Sequence, residues 1–344
     1  MMMSTAPGKL ILAGEHAVVY GEPAVVAAVQ LRTEVGINKS KVGGVGFETN
    51  RYSVDELRNY WIEAKSEWQE FDKTNNAQIL RKYHNKLALI RLAVGAALER
   101  VRYDEGENGL ELQLSTDLPI GAGLGSSASL AASIVGAILS IKAEDVSAEL
   151  VNELTYSLER MMNGRPSGVD NTAVVYGGVM RFQKKMFDNT FEHKSLKLVG
   201  TIEECFIVDT GKPEESTAEM VALVKEKIQN EPVKYKKIIK LVGECATEMG
   251  EKIEMGRFDP TILSRNQRLL EQLGVVGNRA QRIVDQIEEM GGYAKVCGAG
   301  GVKGGSGVIV VYHEDAGKMR EWFKKNKLKY FQDHLGGEGW RIEK

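Results

Sequence analysis

The chain has 344 residues, of which 43% are hydrophobic and 27% charged, and its formal net charge is -2. This composition is typical of a globular protein and excludes a disordered one. The near-zero net charge excludes a global field that would recruit nucleic acid or an acidic membrane surface. The length is sufficient for two domains of ordinary size.

The cysteine and histidine positions argue against a disulfide framework and against a structural zinc site. The three cysteines are isolated, with no Cys-x-x-Cys pair, and the five histidines form no pair at helical spacing. No run approaches about 18 uninterrupted apolar residues, and the first eight residues lack a basic region followed by a long apolar run. We therefore expect a cytoplasmic protein with no signal peptide, no membrane segment and no nucleic-acid partner.

The N-terminal region predicts buried strands interrupted by polar residues. The run Lys9–Ala13 is apolar and suits a buried strand, which the polar residues of 14–16 end. The segment Pro23–Val29 is again apolar, and Arg32–Ile37 predicts a further strand. Polar residues that flank a buried strand usually face solvent or satisfy backbone groups, and this ordinary interpretation applies to residues 14–16 taken alone.

A helical region and then a strand follow. Ser53-Val-Asp-Glu56 is a capping box, which predicts the start of a helix. From there to Arg102 the composition is helical, and the polar stretch Asp72–Asn76 is expected to separate two helices. Gly109–Ser115 alternates apolar and polar residues, as a half-buried strand does.

This strand leads directly into a glycine-rich loop. Gly121, Gly123 and Gly125 alternate with apolar residues and run into Ser126 and Ser127, which precede an apolar helix. Alternate glycines let backbone N–H groups approach an anion, and a helix N-terminus favours negative charge. The pattern is neither the Walker motif nor Gly-x-Gly-x-x-Gly. Strand, loop and helix in this order predict a phosphate site with the serine pair at the N-cap; the alternative is a flexible loop before an ordinary helix.

Two carboxylates stand near a turn-rich segment further along. Val146–Met162 predicts an amphipathic helix with Glu159 near its end, and Asn163–Asp170 follows it. Glu159 is either an exposed glutamate or part of a site. Asp170 is either a helix cap or, near a metal and a substrate hydroxyl, a general base.

The composition changes near Phe187, where we place the boundary between an N-terminal domain, 1–187, and a C-terminal domain, 188–344. Gly298–Gly307 is a second glycine-rich loop, either mobile or forming another backbone surface over phosphates or substrate. The C-terminal domain is predicted to contain strands at Cys205–Asp209, Tyr293–Cys297 and Val308–Tyr312, helices at Thr217–Gln229, Val233–Met255, Pro260–Leu273, Gly277–Met290 and Glu314–Lys327, and a basic tail.

Four segments together resemble the motifs of the GHMP kinase superfamily. They are Ala6-Pro-Gly-Lys-Leu-Ile-Leu-Ala-Gly-Glu-His-Ala-Val-Val-Tyr-Gly21, the loop 118–128, the segment 163–171, and Cys297-Gly-Ala-Gly-Gly301. The Gly-Glu-His-Ala-Val-Val-Tyr-Gly form is similar to the mevalonate kinase branch of the superfamily. The resemblance implies a two-domain α+β fold, with an N-terminal domain like ribosomal protein S5 domain 2 and a ferredoxin-like C-terminal domain. It also implies ATP binding by the N-terminal domain and an active site between the domains.

The activity implied by the resemblance is phosphorylation of the C5 hydroxyl of mevalonate by ATP with Mg²⁺, a step of isoprenoid precursor synthesis. Asp170 matches the base, and Lys9 matches the lysine beside that aspartate and the substrate hydroxyl. Ser127 and Glu159 match the residues that bind Mg²⁺. The residues matched to nucleotide binding are Pro119, Gly121, Ala122, Gly123, Leu124, Gly125, Ser126, Ser127 and Ala128.

The acceptor side is implied in the same way. Glu15 and His16 fall where the family contacts substrate, and Thr217 matches a threonine beside the catalytic group. Arg165 departs from the family pattern, since a smaller or neutral residue is usual there, and a guanidinium would favour a more anionic acceptor such as phosphomevalonate. Val302-Lys303 interrupts the third motif, where Lys303 is either a phosphate contact or a solvated insertion.

Three alternatives therefore accompany the mevalonate kinase hypothesis. They are a phosphomevalonate kinase, another small-molecule kinase of the superfamily, and a catalytically silent nucleotide-binding relative. The joint presence of Lys9, Ser127, Glu159 and Asp170 favours an active enzyme. A homodimer is common among members of the family.

Overall fold

The computed structural model describes residues 2–104, 108–119, 121–142, 145–185, 191–196 and 205–343. Within these ranges the chain forms two β-sheets and ten α-helices, a mixed α+β fold as predicted. The strands are β1 (Met2–Ala13), β2 (Ala24–Ser40), β3 (Val45–Phe47), β4 (Asn50–Tyr52), β5 (Gly109–Thr116), β6 (Val179–Lys184), β7 (Phe191–Leu196), β8 (Cys205–Asp209), β9 (Tyr293–Val296), β10 (Val308–Tyr312), β11 (Lys329–Asp333) and β12 (Arg341–Glu343). The helices are α1 (Val54–Thr74), α2 (Lys86–Val101), α3 (Ser126–Leu139), α4 (Ala148–Asn163), α5 (Val169–Tyr176), α6 (Thr217–Asn230), α7 (Pro232–Glu254), α8 (Thr261–Leu273), α9 (Asn278–Glu289) and α10 (Ala316–Lys325).

The larger sheet is built around β1 and β2. Its strand order is β12-β1-β2-β5-β3-β4, with β6 also paired to β2 and β7 paired to β6. The two strands predicted at 23–29 and 32–37 are one long strand, β2, whose first part pairs with β6 and whose second part pairs with β5. Because the partner changes along β2, its sequence changes from continuously apolar to mixed, and the pattern predicted two strands where there is one.

Helices α1 to α4 cover one face of the larger sheet with apolar side chains. The capping box at α1 is confirmed: Ser53 Oγ accepts from the Glu56 N–H, and the Glu56 carboxylate accepts from the Ser53 N–H. The predicted break after α1 is confirmed as well, since Asn75 ends the helix at φ 55°. The strand β5 then delivers the chain to the first glycine-rich loop, as expected.

The smaller sheet has the order β11-β8-β10-β9 and is antiparallel throughout. Alternate residues of β10 face two different cores. Ile309 and Val311 pack with α9 and α10, whereas Val308 and Val310 pack toward α7, α8 and the larger sheet. One apolar face of this sheet therefore shares a core with the larger sheet, and the other is covered by α9 and α10.

The prediction of a basic C-terminal tail is wrong. Strand β11 pairs with β8, and β12 returns to the larger sheet beside β1. The Trp340 indole anchors this return, because its Nε1–H donates to Ser4 Oγ at 2.8 Å and its ring packs on the Cα of Gly136 in α3. The short, charged strands carry too little apolar periodicity to be recognised in the sequence.

The boundary predicted at 187/188 lies outside the described residues. On its two sides, β6 and β7 pair with each other in the larger sheet. The division into domains 1–187 and 188–344 stays a prediction. Among the helices that the structure describes, none has the length and apolarity needed to cross a membrane.

Candidate active site

The first glycine-rich loop adopts the conformation that its glycines permit. Gly121, Gly123 and Gly125 have φ values of 74°, 87° and 70°, a region that other residues rarely adopt. Gly125 is the N-cap of α3, so the prediction that the serines provide the N-cap is wrong. Ser126 and Ser127 are instead the first two residues of the helix, where backbone N–H groups lack intrahelical partners. The N–H groups of this first turn therefore lie at a helix N-terminus that favours an anion.

Lys9 connects this loop to Asp170. Its Nζ lies 3.1 Å from Asp170 Oδ1 and donates to the carbonyl oxygen of Gly123 at 3.1 Å. Lys9 reaches this position because β1 passes under the loop, where its N–H donates to the Leu124 carbonyl oxygen at 2.9 Å. Asp170 lies in the first turn of α5 and does not cap it, since Gly168 is the N-cap. The predicted neighbours Lys9 and Asp170 are therefore an ion pair.

Ser127 and Glu159 form a second pair beside the first. Ser127 Oγ donates to Glu159 Oε1 at 3.3 Å, and Asn163 Nδ2 donates to Glu159 Oε2 at 2.9 Å. Burial raises the pKa of Glu159 to about 7, and the negative charge of Asp170 adds to this effect while the two hydrogen bonds and Lys9 oppose it. A cation placed here would offset that cost and favour the carboxylate.

Lys9, Ser127 and Asp170 line a small hollow of about 240 Å³ between the two glycine-rich loops. Thr217, the first residue of α6, lies on its wall together with Lys9 and Asp170. The other residues around it are Ile11, Glu15, His16, Val18, Val19, Gly121, Gly123, Gly125, Ser126, Ser167, Val221, Gly298 and Ala299. Most of the residues singled out in the sequence are thereby brought to one place.

The resemblance implied that Glu15 and His16 contact substrate, but the structure shows both side chains engaged by other protein groups. The Glu15 side chain is fully buried and pairs with Lys295 of β9. The His16 ring is also buried, and its Nε2 contacts the Ala299 carbonyl oxygen at 3.0 Å. Burial lowers the pKa of His16, and the contact with Ala299 partly opposes this. Because a carbonyl oxygen can only accept, Nε2 carries a hydrogen and donates it to Ala299.

Lys295 is the charged residue that sequence reasoning missed. In the sequence it stands within an apolar strand and has no pattern that marks it as buried. Nothing local to β9 indicates its partner Glu15, which lies 280 residues away along the chain.

Arg165 lies apart from the residues around the small hollow. Its guanidinium donates to Asp72 Oδ1 at 3.2 Å and to the Asp72 carbonyl oxygen at 3.0 Å, and it lies over the ring of Phe71. It is not among the residues around the small hollow. A role for Arg165 in acceptor binding would require it to leave Asp72.

A larger hollow of about 770 Å³ adjoins the small one and shares Gly121, Ser126, Ser127 and Thr217 with it. Its remaining wall is mostly apolar, from Phe71, Leu80, Leu89, Leu114, Leu130 and Met162, and its polar residues include His84, Asn85 and Lys86. This is the size and character of a site for an organic ligand with an apolar part.

The other residues of the first glycine-rich loop that were predicted to bind nucleotide have buried or half-buried side chains. The side chains of Ala122, Leu124 and Ala128 are buried, so only their backbone can face a ligand. Pro119 is half-buried and is not among the residues around either hollow.

The second glycine-rich loop contributes Gly298 and Ala299 to the small hollow. The interruption that follows points elsewhere, because Val302 is exposed and the Lys303 N–H donates to the Glu215 carboxylate. Neither residue lies around either hollow, so this placement favours a solvated insertion for Lys303.

Together the two hollows can hold a phosphorylated organic molecule with its phosphates at the loop and a second reactant beside Asp170. The loop and the N-terminus of α3 supply N–H groups, Lys9 supplies a positive charge, and Asp170 supplies a proton acceptor. These are the parts that phosphoryl transfer requires.

Comparison with known proteins agrees with this chemistry. A family model described as "GHMP kinases N terminal domain" matches residues 90–178. A mevalonate kinase of Thermococcus onnurineus is 28% identical over 309 residues, which cover 87% of this chain and 86% of that protein. The crystal structure of Methanococcus jannaschii mevalonate kinase aligns with a TM-score of 0.77 at 23% identity, over 98% of each chain. That of L. major mevalonate kinase in complex with R-mevalonate aligns with a TM-score of 0.72 at 22% identity, over 98% of this chain and 96% of that one.

Proposed function

We propose that this chain is a GHMP kinase that transfers the γ-phosphoryl group of ATP to the C5 hydroxyl of mevalonate, giving 5-phosphomevalonate. The observation that carries this proposal is the contact of Lys9 with both Asp170 and the glycine-rich loop. This contact supports a proton acceptor next to a phosphate-binding loop, since Lys9, Asp170 and Gly123 all lie around the small hollow. The relatives named above act as mevalonate kinases, which supports mevalonate as the acceptor.

ATP fits the two adjoining hollows. The larger one offers an apolar wall for the adenine and ribose, and the shared residues place the triphosphate at the loop and the N-terminus of α3. The γ-phosphate then faces the small hollow, where the acceptor binds. Phosphoryl transfer depends chiefly on such positioning and on neutralising the charge of the phosphates.

Ser127 and Glu159 fit the Mg²⁺ that accompanies ATP. Magnesium takes oxygen ligands and keeps several waters, so one hydroxyl and one carboxylate are a reasonable share for the protein. The raised pKa of Glu159 is consistent with this assignment, because a cation bound beside the buried carboxylate would favour its charged form. Bound there, Mg²⁺ would neutralise part of the charge on the phosphates.

Asp170 and Lys9 act on the acceptor. Asp170 accepts the proton of the C5 hydroxyl and orients its oxygen toward the phosphate, and its side chain is 33% exposed, so an acceptor can reach it. Lys9 stabilises the negative charge that develops on that oxygen. Thr217 and His16 border the same space and hold the acceptor in place.

The test is release of ADP by the purified protein with ATP, Mg²⁺ and one of four acceptors: mevalonate, 5-phosphomevalonate, galactose or homoserine. We expect mevalonate to give the highest kcat/KM. A clear preference for 5-phosphomevalonate would replace the proposal with its nearest alternative, and no turnover with any acceptor would favour a silent relative. The position of Arg165 on Asp72 disfavours the phosphomevalonate alternative, since the guanidinium that motivated it lies away from the acceptor. The cytoplasmic location and the homodimer stay predictions.

A further inference from the structure

A fully buried ion pair adjoins the small hollow, and one of its members, Glu15, is among the residues around that hollow. The side chains of Lys295 in β9 and Glu15 are both 0% exposed, and Lys295 Nζ donates to Glu15 Oε1. The other carboxylate oxygen, Oε2, accepts from Asn266 Nδ2 of α8 at 3.1 Å. Both oxygens of Glu15 are thus engaged inside the protein, and neither is presented to a ligand.

The lysine has no free donor either. Its Nζ donates to the carbonyl oxygens of Ile11 at 3.0 Å and of Val296 at 2.8 Å, in addition to Glu15. Removing two charges from water costs more than their attraction often returns, so an apolar pair of similar volume is commonly as stable. Stability alone therefore does not account for a pair in this place.

The position of the pair points to another role. Glu15 precedes His16, which is held at φ 53° with its ring on the Ala299 carbonyl. Ile11, the second anchor of Lys295, stands two residues after Lys9 on β1. Lys295 itself lies on the strand that leads into the second glycine-rich loop. The Lys295 ammonium group thus holds two points of residues 9–16, the Ile11 carbonyl and the Glu15 carboxylate, against the strand and loop of residues 295–299.

We propose that Glu15 and Lys295 are a positioning pair that sets the acceptor half of the site, with Asn266 as its third member. The pair holds His16 and Lys9 in register with the second glycine-rich loop and touches neither reactant. Glu15 is then not an acceptor contact, which differs from the role that the family resemblance implied for it. The inference rests on the proposed function, since it concerns the same site.

Loss of the pair should displace the residues around the small hollow and leave the larger hollow, where the nucleotide binds, unchanged. None of Glu15, Lys295 or Asn266 borders the larger hollow, so nucleotide affinity should not change. Misplacing reacting groups by about 1 Å can cost on the order of 100-fold in rate. The kinetic effect should therefore fall on the acceptor.

The experiment uses the double variant Glu15→Gln/Lys295→Met, which removes both charges at nearly constant volume. We expect a Tm close to that of the wild type, nucleotide Kd within about twofold, and kcat/KM for the acceptor lower by roughly 100-fold. Hydrogen exchange should be faster in residues 14–16 and 298–301. The exchange measurement does not depend on turnover, so it separates failure of this inference from failure of the proposed function.

The matched control is Val311→Ala, which removes buried methyl groups from the far face of the same small sheet. It should lower Tm without changing acceptor kcat/KM or exchange in those two segments. Wild-type kinetics and exchange in the double variant would overturn the inference. So would failure of the double variant to fold, or a joint loss of Tm, nucleotide binding and activity, since the role would then be structural.

Discussion

The ammonium group of Lys9 lies 3.1 Å from Asp170 Oδ1, and the two side chains differ in their access to solvent: Lys9 is 4% exposed and Asp170 is 33% exposed. The lysine is fixed from behind by the glycine-rich loop, and the aspartate presents its carboxylate to the hollow. A buried cation beside a reachable carboxylate suits proton abstraction from a bound hydroxyl, because the cation stabilises the charge that appears on the oxygen.

Replacing the Asp170 carboxylate should slow phosphoryl transfer and leave nucleotide binding intact. For Asp170→Asn we expect kcat to fall roughly 10²- to 10⁴-fold, because the amide cannot accept the hydroxyl proton. The nucleotide Kd should change little, since Asp170 does not border the larger hollow. Steady-state ADP release and a fluorescence titration with nucleotide measure the two effects. Asp72→Asn, another aspartate in an ion pair but not among the residues around either hollow, is the control and should retain turnover. Unchanged turnover in Asp170→Asn would remove it from the role of base.

The parts of this site that could be predicted are those encoded within short stretches of sequence. The three alternating glycines require positive φ, the capping box at Ser53 is complete within four residues, and the motif around Asp170 is contiguous. The helices predicted after residue 146 have clear periodicity, so their ends lie within about two residues of the expected ones, whereas β1 begins seven residues before the predicted Lys9.

What could not be predicted depends on pairings between distant residues. Lys295 is an ordinary strand lysine until the fold brings Glu15 to it, and Arg165 looked available for an acceptor because its partner Asp72 belongs to α1. The pairing of β12 with β1 likewise depends on a contact between Trp340 and Gly136. A linear pattern carries no information on such contacts.

The raised pKa of Glu159 predicts a pH dependence of stability without Mg²⁺. Its pKa is about 7 in the folded protein against an ordinary 4.5, so between these values the folded state holds a proton that the unfolded state has lost. The free energy of unfolding should therefore fall by on the order of 3 kcal/mol as pH rises through this range. Urea unfolding of wild type and Glu159→Gln at pH 4.5 and pH 8 isolates the effect, because the variant lacks this titration.

The same variant tests the assignment of Glu159 to Mg²⁺. The wild type should bind ATP more tightly when Mg²⁺ is present, and Glu159→Gln should lose most of that gain at pH 8. Isothermal titration with and without MgCl₂ measures it. An equal gain in both proteins would exclude Glu159 as a magnesium ligand, whatever the outcome of the unfolding experiment.

Arg165→Ala distinguishes the structural position of this residue from its hypothetical contact with an anionic acceptor. Because the guanidinium is engaged by Asp72 and Phe71, we expect kcat/KM for mevalonate to change less than about threefold, with a stability loss of at most about 1 kcal/mol for an exposed pair. The ratio of kcat/KM values for mevalonate and 5-phosphomevalonate is the measurement. A shift of that ratio by tenfold or more would show that Arg165 leaves Asp72 to contact the acceptor.

Gly136→Ala should loosen the C-terminal strand, because a Cβ at this position would overlap the Trp340 indole. Relieving the overlap moves Trp340 away from Ser4 and disturbs the pairing of β12 with β1, so we expect a loss of roughly 1–3 kcal/mol in the free energy of unfolding. Urea unfolding gives this value, and faster hydrogen exchange in residues 338–343 locates the change. Gly43→Ala is the control, since a Cβ there meets no neighbour within 4 Å, and it should have wild-type stability. Equal stability of the two variants would mean that β12 and Trp340 contribute little to holding the larger sheet together.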